Sequence, residues 1–338
     1  MQLFLGPRTE ALEREWAAKC GVKHAIAVAS GTDSLLLPLL AADMGPGDEV
    51  ITVGWTFIAT LEAIVHAGAR PVIVDVDPET LTMDFDQLAA AVTPRTRAII
   101  PVHIYGHPAD MGPIMELATE HGLFVLEDAA QAHGAMYAGR AVGGLGHGGS
   151  FSFYVTKNLS AYGEGGMVTT NNDELADGVR LLRNHSRTAK SEHVVVGFNS
   201  RLHELQAAVL LVKLQRMDQW NARRREIAAR YQERLGDLPI RLPVERSECN
   251  HVYHIYGTRT PDRDRLKEVL DEAEIGYSLH YPKPAHRQPA MAPWGLDRCE
   301  TPVSDQAARQ ILGLPIHPFL SDAQIDHVCD VLAEALGG

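Results

Sequence analysis

The sequence predicts an α/β protein built on a mostly parallel sheet with helices on both faces, followed by a smaller C-terminal α+β domain. Three observations support this fold. Short apolar runs alternate with helical patterns through the first half of the 338-residue chain, as in successive β-α-β units. A long helical pattern over residues 201–230 follows, and beyond it strand and helix patterns mix. We therefore predict a large domain at residues 1–217 and a small domain at residues 218–338.

The strands are predicted from short apolar and β-branched runs bounded by turns. Residues 49–53, for example, follow the turn Gly45-Pro-Gly-Asp48. Runs that are apolar throughout are typical of parallel strands buried on both faces. The predicted strands lie at residues 24–29, 49–53, 71–76, 98–102, 123–126 and 167–170, with two more at 253–257 and 277–280 in the small domain.

The helices are predicted from apolar residues at helical spacing. The first begins near Thr9, which can cap it, and carries Leu12 and Trp16 on one face. Pro38 predicts a kink in the second helix. Residues 186–196 are polar and irregular, which predicts a mobile loop. The remaining predicted helices lie at residues 30–44, 58–67, 88–92 (the end of a helix), 111–121, 173–184, 263–273 and 322–336.

Composition and charge exclude several classes of protein. The formal net charge of −12 argues against a nucleic-acid surface, which needs a basic footprint. The four cysteines contain no C-x-x-C pair, so there is no zinc signature and no disulfide framework. No apolar run approaches the roughly 20 residues of a membrane span, and the N-terminal residues lack the pattern of a signal peptide. We therefore expect a cytoplasmic protein that binds neither nucleic acid nor membrane.

The segment Ser150-Phe-Ser-Phe-Tyr-Val-Thr-Lys157 contains the most informative residue of the chain. Lys157 follows alternating small and aromatic residues and precedes the glycine-rich turn Gly163-Glu-Gly-Gly166. These flanks predict a partly buried amine. Burial disfavours the charged form, lowers the pKa of a lysine and makes its amine nucleophilic at neutral pH. A nucleophilic lysine forms Schiff bases with aldehydes, including pyridoxal 5′-phosphate. In isolation, a lysine is more often a surface residue.

Two further segments complete a site for pyridoxal phosphate. Asp128 follows the apolar strand at residues 123–126, and ligands of open α/β sheets bind at that end of the strands. A carboxylate there can keep the pyridine nitrogen protonated, so that the ring acts as an electron sink. Ser152 can offer a hydroxyl to the phosphate. Gly31, Thr32 and Asp33 open the second helix, where backbone N–H groups and the helix dipole form an anion site.

At these residues the chain resembles the DegT/DnrJ/StrS family of pyridoxal-phosphate-dependent sugar aminotransferases. The resemblance covers nearly the whole chain in the family's order, and it implies a fold-type-I enzyme that is normally a homodimer. Family members usually carry a further segment before the first helix, so we expect N-terminal packing to differ here. The matching segments include GVKHAIAVASGTDSL, GPGDEVITVGWTFIAT, VLEDAAQAHGA, SFSFYVTKNL, GEGG, GFNSRLHELQAAV and HYPKPAHRQPAM.

The resemblance also implies roles for single residues. It implies that Phe57 stacks on the pyridine face and that Gln131 contacts the ring-hydroxyl side of the cofactor. It implies that Asn199 crosses the dimer interface to the phosphate of the partner's cofactor, so that each active site is composite. Asp33 is unusual for the family, because its charge would repel phosphate, and we expect its carboxylate to face away. Each of these residues also has a structural interpretation, as a core aromatic, a backbone hydrogen-bonding partner or a turn residue.

The predicted activity is a ping-pong transamination from an amino acid, glutamate by resemblance, to a nucleotide-linked keto sugar in amino-sugar biosynthesis. Lys157 is the predicted catalytic residue, as Schiff-base partner and general base. Three alternatives remain open: a keto-inositol (cyclitol) aminotransferase, an aminohydroxybenzoate synthase, and a non-catalytic regulatory protein that binds the cofactor. The family's dehydratases carry histidine in place of the lysine, so Lys157 argues against that activity.

The 16 histidines invite a metal interpretation that their spacing does not support. No H-E-x-x-H motif is present, and we predict no metal site. His251 and His254 lie too close to a strand pattern to be taken as ligands. His133 and His280 are each either cofactor-positioning or structural, with neither interpretation preferred.

Overall fold

The computed structural model describes residues 3–337. The helices are α1 Pro7–Cys20, α2 Gly31–Ala41, α3 Ala59–His66, α4 Phe85–Ala91, α5 Met111–His121, α6 Asp173–Leu182, α7 Glu204–Leu214, α8 Met217–Leu235, α9 Arg263–Glu272, α10 Pro302–Gln310 and α11 Asp322–Leu336. The strands are β1 His24–Val28, β2 Glu49–Val53, β3 Arg70–Val74, β4 Thr96–Ile100, β5 Phe124–Asp128, β6 Met136–Tyr137, β7 Arg140–Ala141, β8 Gly148–Ser152, β9 Gly166–Thr170, β10 Arg187–Ala189, β11 Glu192–His193, β12 Cys249–Asn250, β13 Tyr256–Arg259 and β14 Ile311–Leu314.

The central sheet has seven strands in the order β1-β9-β8-β5-β4-β2-β3. Only β9 runs antiparallel to its neighbours, β1 and β8, and the other pairs are parallel. The predicted mostly parallel α/β fold is therefore confirmed. The order also brings the carboxyl ends of β5 and β8 to one edge of the sheet, next to the start of α2. That edge is where open α/β sheets bind ligands.

Five hydrophobic clusters form the interior of the described part of the chain, and four of them support the predicted domains, whereas the fifth joins Leu61 to Ala285, Met291 and Leu296. Three of them pack around the central sheet. The largest cluster of the C-terminal part runs from Ile227 to Leu332. The division is not complete, because Val252 and Ile311 pack into the main cluster of the sheet and β12 pairs with β6. The boundary at residues 217 and 218 stays a prediction.

Several local predictions differ from the structure. The helix predicted over residues 201–230 is broken between α7 and α8, because α7 buries Ala207 and Leu210 against the sheet while α8 packs on the small-domain cluster. The N-cap of α1 is Gly6 and not Thr9, whose hydroxyl instead donates to Glu204 at 2.5 Å.

The strand predicted at residues 277–280 is reduced to one isolated bridge between Ser278 and Gly313. Pro282 and Pro284 follow it, and proline cannot donate to a strand ladder. The strand predicted at residues 253–257 begins later, at Tyr256. The loop predicted at residues 186–196 contains the short hairpin β10–β11.

Glu127 anchors the loop behind the carboxyl end of β5. It is fully buried, and its carboxylate accepts hydrogen bonds from the N–H groups of Gly143, Leu145 and Gly146, each at 2.8 Å. His103 Nε2 also donates to it at 3.0 Å, since His103 Nδ1 already accepts from the Ala109 N–H. Glu127 thus satisfies buried donors, while its neighbour in the strand faces the opposite side.

We expect Glu127→Ala to lower the free energy of unfolding by about 3–5 kcal/mol, because it leaves three buried N–H groups and an imidazole without their acceptor. Urea unfolding of the full chain measures this cost. Glu116→Ala, at an exposed position of α5, is the matched control and is expected to change stability by less than about 0.5 kcal/mol. A cost for Glu127→Ala no larger than that of the control would contradict the anchoring role.

Candidate active site

A cavity of about 440 Å³ lies at the carboxyl edge of the sheet. We call it the central cavity. It brings together seven of the residues predicted from the sequence: Gly31, Thr32, Phe57, Asp128, Gln131, Ser152 and Lys157. These residues come from five separate parts of the chain, which only the sheet order places side by side.

Lys157 sits in the loop that follows β8. Its N–H donates to the Tyr154 carbonyl at 2.9 Å, which closes a tight turn and directs the side chain to the central cavity. Burial lowers the pKa of the Lys157 amine to about 8, and the charge of Asp128 acts in the opposite direction. At pH 7 a pKa of about 8 leaves roughly a tenth of the amines neutral, compared with well under a thousandth at the ordinary value of 10.5.

Asp128 ends β5 with its carboxylate buried in the cavity wall. Thr60 Oγ1 donates to Oδ2 at 2.8 Å, and the Ala130 N–H donates to Oδ1 at 3.2 Å. Burial raises the pKa of Asp128, while these two hydrogen bonds and the Lys157 ammonium lower it. Two donors leave acceptor sites on the carboxylate unfilled. A cationic N–H in the cavity would therefore stabilise the ionised form.

Gly31 and Ser152 form the opposite end of the cavity, at the start of α2. A Cβ atom built on Gly31 would lie 2.5 Å from Ser152 Cβ, so only glycine allows this close approach. The turn at residues 163–166 serves a similar purpose, because a Cβ on Gly166 would lie 2.1 Å from the Ser30 carbonyl oxygen. The result is a narrow polar recess that contains a hydroxyl and the N-terminus of an 11-residue helix.

Asp33 directs its carboxylate away from the central cavity. Its carboxylate accepts a hydrogen bond from Ser200 Oγ at 2.6 Å, and its N–H donates to the N-cap Ser30 Oγ at 3.1 Å. The carboxylate therefore faces away from the recess, as expected from its negative charge. Gly31 and Thr32 line the recess in its place. A contact between the Asp33 N–H and phosphate stays a prediction.

Phe57 and Gln131 flank the central cavity. The Phe57 ring is 56% exposed, so its face is accessible from the cavity, and it lies 6.2 Å from the Tyr281 ring. Gln131 Oε1 accepts from the Tyr105 N–H at 2.7 Å, and Gln131 Nε2 donates to the Tyr281 hydroxyl at 3.1 Å. Gln131 therefore fixes Tyr281 beside Phe57. Its predicted contact with the cofactor ring remains untested.

Asn199, like Asp33, does not line the central cavity. It is exposed, and its Oδ1 accepts from Arg201 at 2.6 Å. The proposed role of Asn199 requires a second chain.

His133 and His280 differ in position. His133 is buried with its ring between 5.6 and 5.8 Å from the rings of Trp16, Phe151 and Phe153, which favours a structural role. His280 lines the central cavity. Within residues 3–337, no group of three histidine, cysteine or acidic side chains could hold a metal ion.

Several residues of the cavity wall were missed from the sequence. Thr60 could have been found, since it follows Thr56 by one helical turn at the start of α3, and the two hydroxyls lie 2.8 Å apart. His254, Tyr281 and Glu164 carry no local signal, because distant segments bring them to the cavity.

Among residues 3–337, none of the helices combines the length and the apolar character that a membrane span requires.

Comparison with known proteins gives a match along almost the whole chain. The model of the DegT/DnrJ/EryC1/StrS aminotransferase family matches residues 1–333. The crystal structure of Streptomyces venezuelae DesV in complex with a ketimine intermediate superposes with a TM-score of 0.96 at 46% identity, covering 98% of this chain and 90% of that one.

Three curated relatives carry different names. A pleiotropic regulatory protein of Geobacillus stearothermophilus is 46% identical over 98% of this chain and 90% of its own length. The dTDP-3-amino-3,4,6-trideoxy-alpha-D-glucose transaminase of Streptomyces venezuelae is 46% identical over 98% of this chain and 88% of its own length. The UDP-N-acetyl-3-dehydro-alpha-D-glucosamine 3-aminotransferase of Acidithiobacillus ferrooxidans is 45% identical over 99% of this chain and 90% of its own length.

Proposed function

The chain belongs to the DegT/DnrJ/EryC1/StrS aminotransferase family, and on that premise we propose that it moves an amino group from glutamate to a nucleotide-linked keto sugar. Membership makes it a pyridoxal-phosphate-dependent aminotransferase. The observation that carries the proposal is the convergence of Lys157, Asp128 and Ser152 on one cavity. The names of two relatives, which specify sugars linked to dTDP and to UDP, support a nucleotide-linked acceptor.

The residues present fit pyridoxal phosphate. The buried carboxylate of Asp128 has room for a cationic N–H partner, which a protonated pyridine nitrogen supplies. The recess between Gly31 and Ser152 suits a phosphate, because it presents a hydroxyl and a helix N-terminus and excludes a Cβ. Lys157 provides an amine that is partly neutral at pH 7. Bound there, the cofactor supplies an aldehyde carbon and an electron-accepting ring.

Lys157 performs two tasks in this proposal. As a nucleophile, its amine holds the cofactor covalently. With the amino-acid donor in the cavity, the free amine would accept the proton from the donor's α-carbon. The lowered pKa suits both tasks, since a base works best when its pKa lies near the working pH. Asp128 holds a proton on the pyridine nitrogen through its buried, oriented carboxylate. The same residues act in reverse order on the keto acceptor.

An amino-group transfer assay tests the proposed function. The full chain, loaded with pyridoxal phosphate, is given glutamate and one candidate substrate, and formation of 2-oxoglutarate and of the amine or aromatic product is followed. The substrates are a dTDP-linked keto sugar, a UDP-linked keto sugar, a keto-inositol and an aminoshikimate-type substrate. Turnover with either nucleotide-linked sugar is the expected result. Turnover only with one of the other two substrates would replace the proposal with a cyclitol aminotransferase or an aminohydroxybenzoate synthase. No release of 2-oxoglutarate from glutamate would favour a regulatory protein without turnover.

We propose further that the enzyme is a homodimer with composite active sites. Helix α7 exposes Leu205 and Val212, at 74% and 72%, and Val196 is 92% exposed in the preceding segment. An apolar surface of this kind suits a second copy of the chain. Asn199 lies between Val196 and Leu205 in the sequence, close to the start of α7, where it could reach the active site of a second chain. A cytoplasmic location and the absence of nucleic-acid binding stay predictions.

Mixing two inactive variants tests the composite site. Lys157→Ala removes the amine, and Asn199→Asp places a negative charge where the partner's phosphate would bind. If Asn199 acts across the interface, a mixed dimer of the two contains one intact site. Refolding an equal mixture should then restore about a quarter of wild-type activity, because half of the dimers are mixed and each has one of two sites intact. If Asn199 acts within its own chain, no mixed dimer has an intact site and activity stays at the level of the separate variants.

A further inference from the structure

His254 lies where two cavities meet. With Thr156 and His280 it lines both the central cavity and an adjoining cavity of about 580 Å³. Its main chain is fixed on both sides. The His254 N–H donates to the Tyr105 carbonyl at 2.7 Å, and the His254 carbonyl accepts from Arg224 Nη1 at 3.5 Å. The imidazole is therefore held at a set position in the wall that Lys157 faces.

A chain of hydrogen bonds fixes which nitrogen of His254 carries the proton. At its far end Asn221 Nδ2 donates to the His133 carbonyl at 2.8 Å. Asn158 Nδ2 donates both to Asn221 Oδ1 and to the Val252 carbonyl, each at 3.0 Å. Backbone carbonyls can only accept, so both amide orientations are determined. Asn158 Oδ1 is then the acceptor of the contact with His254 Nδ1 at 3.2 Å, and Nδ1 carries the proton.

This assignment leaves His254 Nε2 with a free lone pair. Burial lowers the pKa of His254 well below 6.5, and the Lys157 ammonium lowers it further. The ring is therefore neutral at neutral pH, and Nε2 is a permanent hydrogen-bond acceptor. Because Nδ1 is turned towards Asn158, Nε2 is the nitrogen available to the cavities. Asn158, which accepts the hydrogen bond from His254 Nδ1, directly follows Lys157 in the sequence.

The other groups around Lys157 are not equivalent to His254. Asp128 is the charged partner and raises the pKa of the amine. The ammonium also lowers the pKa of His133 and His280, but His133 is enclosed by aromatic rings and does not line the central cavity. The remaining titratable side chains that line the cavity are Glu164, Tyr154 and Tyr281. Among the histidines at the cavity, His254 is the one whose proton is placed by a chain of hydrogen bonds that ends on backbone carbonyls.

We propose that His254 is a positioning residue: when the Lys157 amine turns towards it, His254 Nε2 accepts a hydrogen bond from that amine and orients it in the central cavity. The proposal rests on the proposed function for its catalytic meaning. The contact itself involves only the side chains of Lys157 and His254. Asp128 and His254 would then hold the amine from two directions, one through charge and the other through a neutral acceptor.

Titration of the Lys157 amine in the full chain freed of cofactor tests the contact directly. The pH dependence of acylation by acetic anhydride is followed at the Lys157 peptide by mass spectrometry. The wild-type amine should titrate at about pH 8. A hydrogen bond from an ammonium to a neutral acceptor stabilises the charged form, so removing the acceptor lowers the pKa. We expect His254→Phe to lower it by about one unit.

Three more variants separate positioning from a general structural effect. His254→Gln places an oxygen acceptor near the position of Nε2, and it should restore most of the pKa unit that Lys157 loses in His254→Phe. Asn158→Leu removes the anchor of Nδ1 and should lower the pKa of Lys157 in the same direction as His254→Phe. His317→Phe is the matched control, because His317 lines only the adjoining cavity and should leave the Lys157 titration unchanged.

Two results would overturn the proposal. The first is an unchanged Lys157 pKa in a folded His254→Phe variant. The second is an equal shift in His254→Phe and His317→Phe, since a contact between two side chains cannot explain it. Neither result depends on turnover, so the contact can fail while the aminotransferase proposal stands. In the loaded enzyme the expected companion effect is a 10–100-fold lower rate of the glutamate half-reaction with little change in KM.

Discussion

Lys157→Ala is expected to abolish transamination, with a loss of about 10⁴-fold or more in the rate of the glutamate half-reaction. The substitution removes the covalent attachment of the cofactor and the base that moves the α-proton, and base catalysis alone contributes up to about 10⁴-fold. Pyridoxal phosphate should still bind through the recess at Gly31 and Ser152 and through Asp128, but it should be removed by gel filtration. Single-turnover measurements with glutamate quantify the loss.

The control for Lys157→Ala is Lys23→Ala, which removes an exposed lysine paired with Asp173 on the surface. It should retain wild-type rates, since an exposed ion pair contributes at most about 1 kcal/mol to stability and lies outside the cavity. Added methylamine should partly restore proton transfer in Lys157→Ala, because a free amine can enter the space that the side chain leaves. A Lys157→Ala enzyme with rates near those of Lys23→Ala would exclude Lys157 as the catalytic amine.

Asp128→Asn is the second substitution with a large expected effect, a loss of about 10²–10³-fold in the half-reaction rate. It keeps the shape of the side chain and can keep the hydrogen bond from Thr60, but it removes the charge that holds a proton on the pyridine nitrogen. The stability of the fold should change little, because burial raises the pKa of Asp128 and thus already disfavours its charged form.

The pH dependence provides an independent check of the same residue. Asp128 also raises the pKa of Lys157, so its neutralisation should lower that pKa below about 8. Acylation of the Lys157 amine in the cofactor-free chain should therefore reach its plateau at lower pH in Asp128→Asn than in the wild type. Asp173→Asn, at an exposed carboxylate, is the matched control. A rate loss in Asp128→Asn below tenfold would show that the ring is polarised by another group.

The catalytic core of this site could be predicted because its residues stand at the ends of regular elements. Asp128 ends an apolar strand, Ser152 ends another, and Gly31 begins a helix. In a parallel sheet such positions meet at one edge, whatever the details of packing. The sequence pointed to Asp128 as the partner of the pyridine nitrogen but carried no signal for the structural role of the adjacent Glu127. The alternation of side chains along the strand assigns Asp128 to the cavity and Glu127 to the loop behind it.

The residues that were missed depend on contacts between distant segments. His254 contacts Asn158, 96 positions earlier, and Gln131 contacts Tyr281, 150 positions later. No local pattern encodes such pairs, because each side chain is an ordinary residue of its own segment. The broken helix at residues 215–216 has a similar origin, since the helical spacing continues through it and only the separate cores of the two halves require the bend.

The visible absorption spectrum of the purified, cofactor-loaded protein, before and after addition of glutamate, tests most directly whether Lys157 binds pyridoxal phosphate and whether glutamate is the amino donor. We predict an absorption band of lysine-bound pyridoxal phosphate. Glutamate should convert this band to that of the pyridoxamine form, and a nucleotide-linked keto sugar should then restore it. In Lys157→Ala the lysine-bound band should be absent from the start. Two results would contradict the proposed role of Lys157. One is the absence of a cofactor band when pyridoxal phosphate is supplied in excess, and the other is a lysine-bound band that persists in Lys157→Ala.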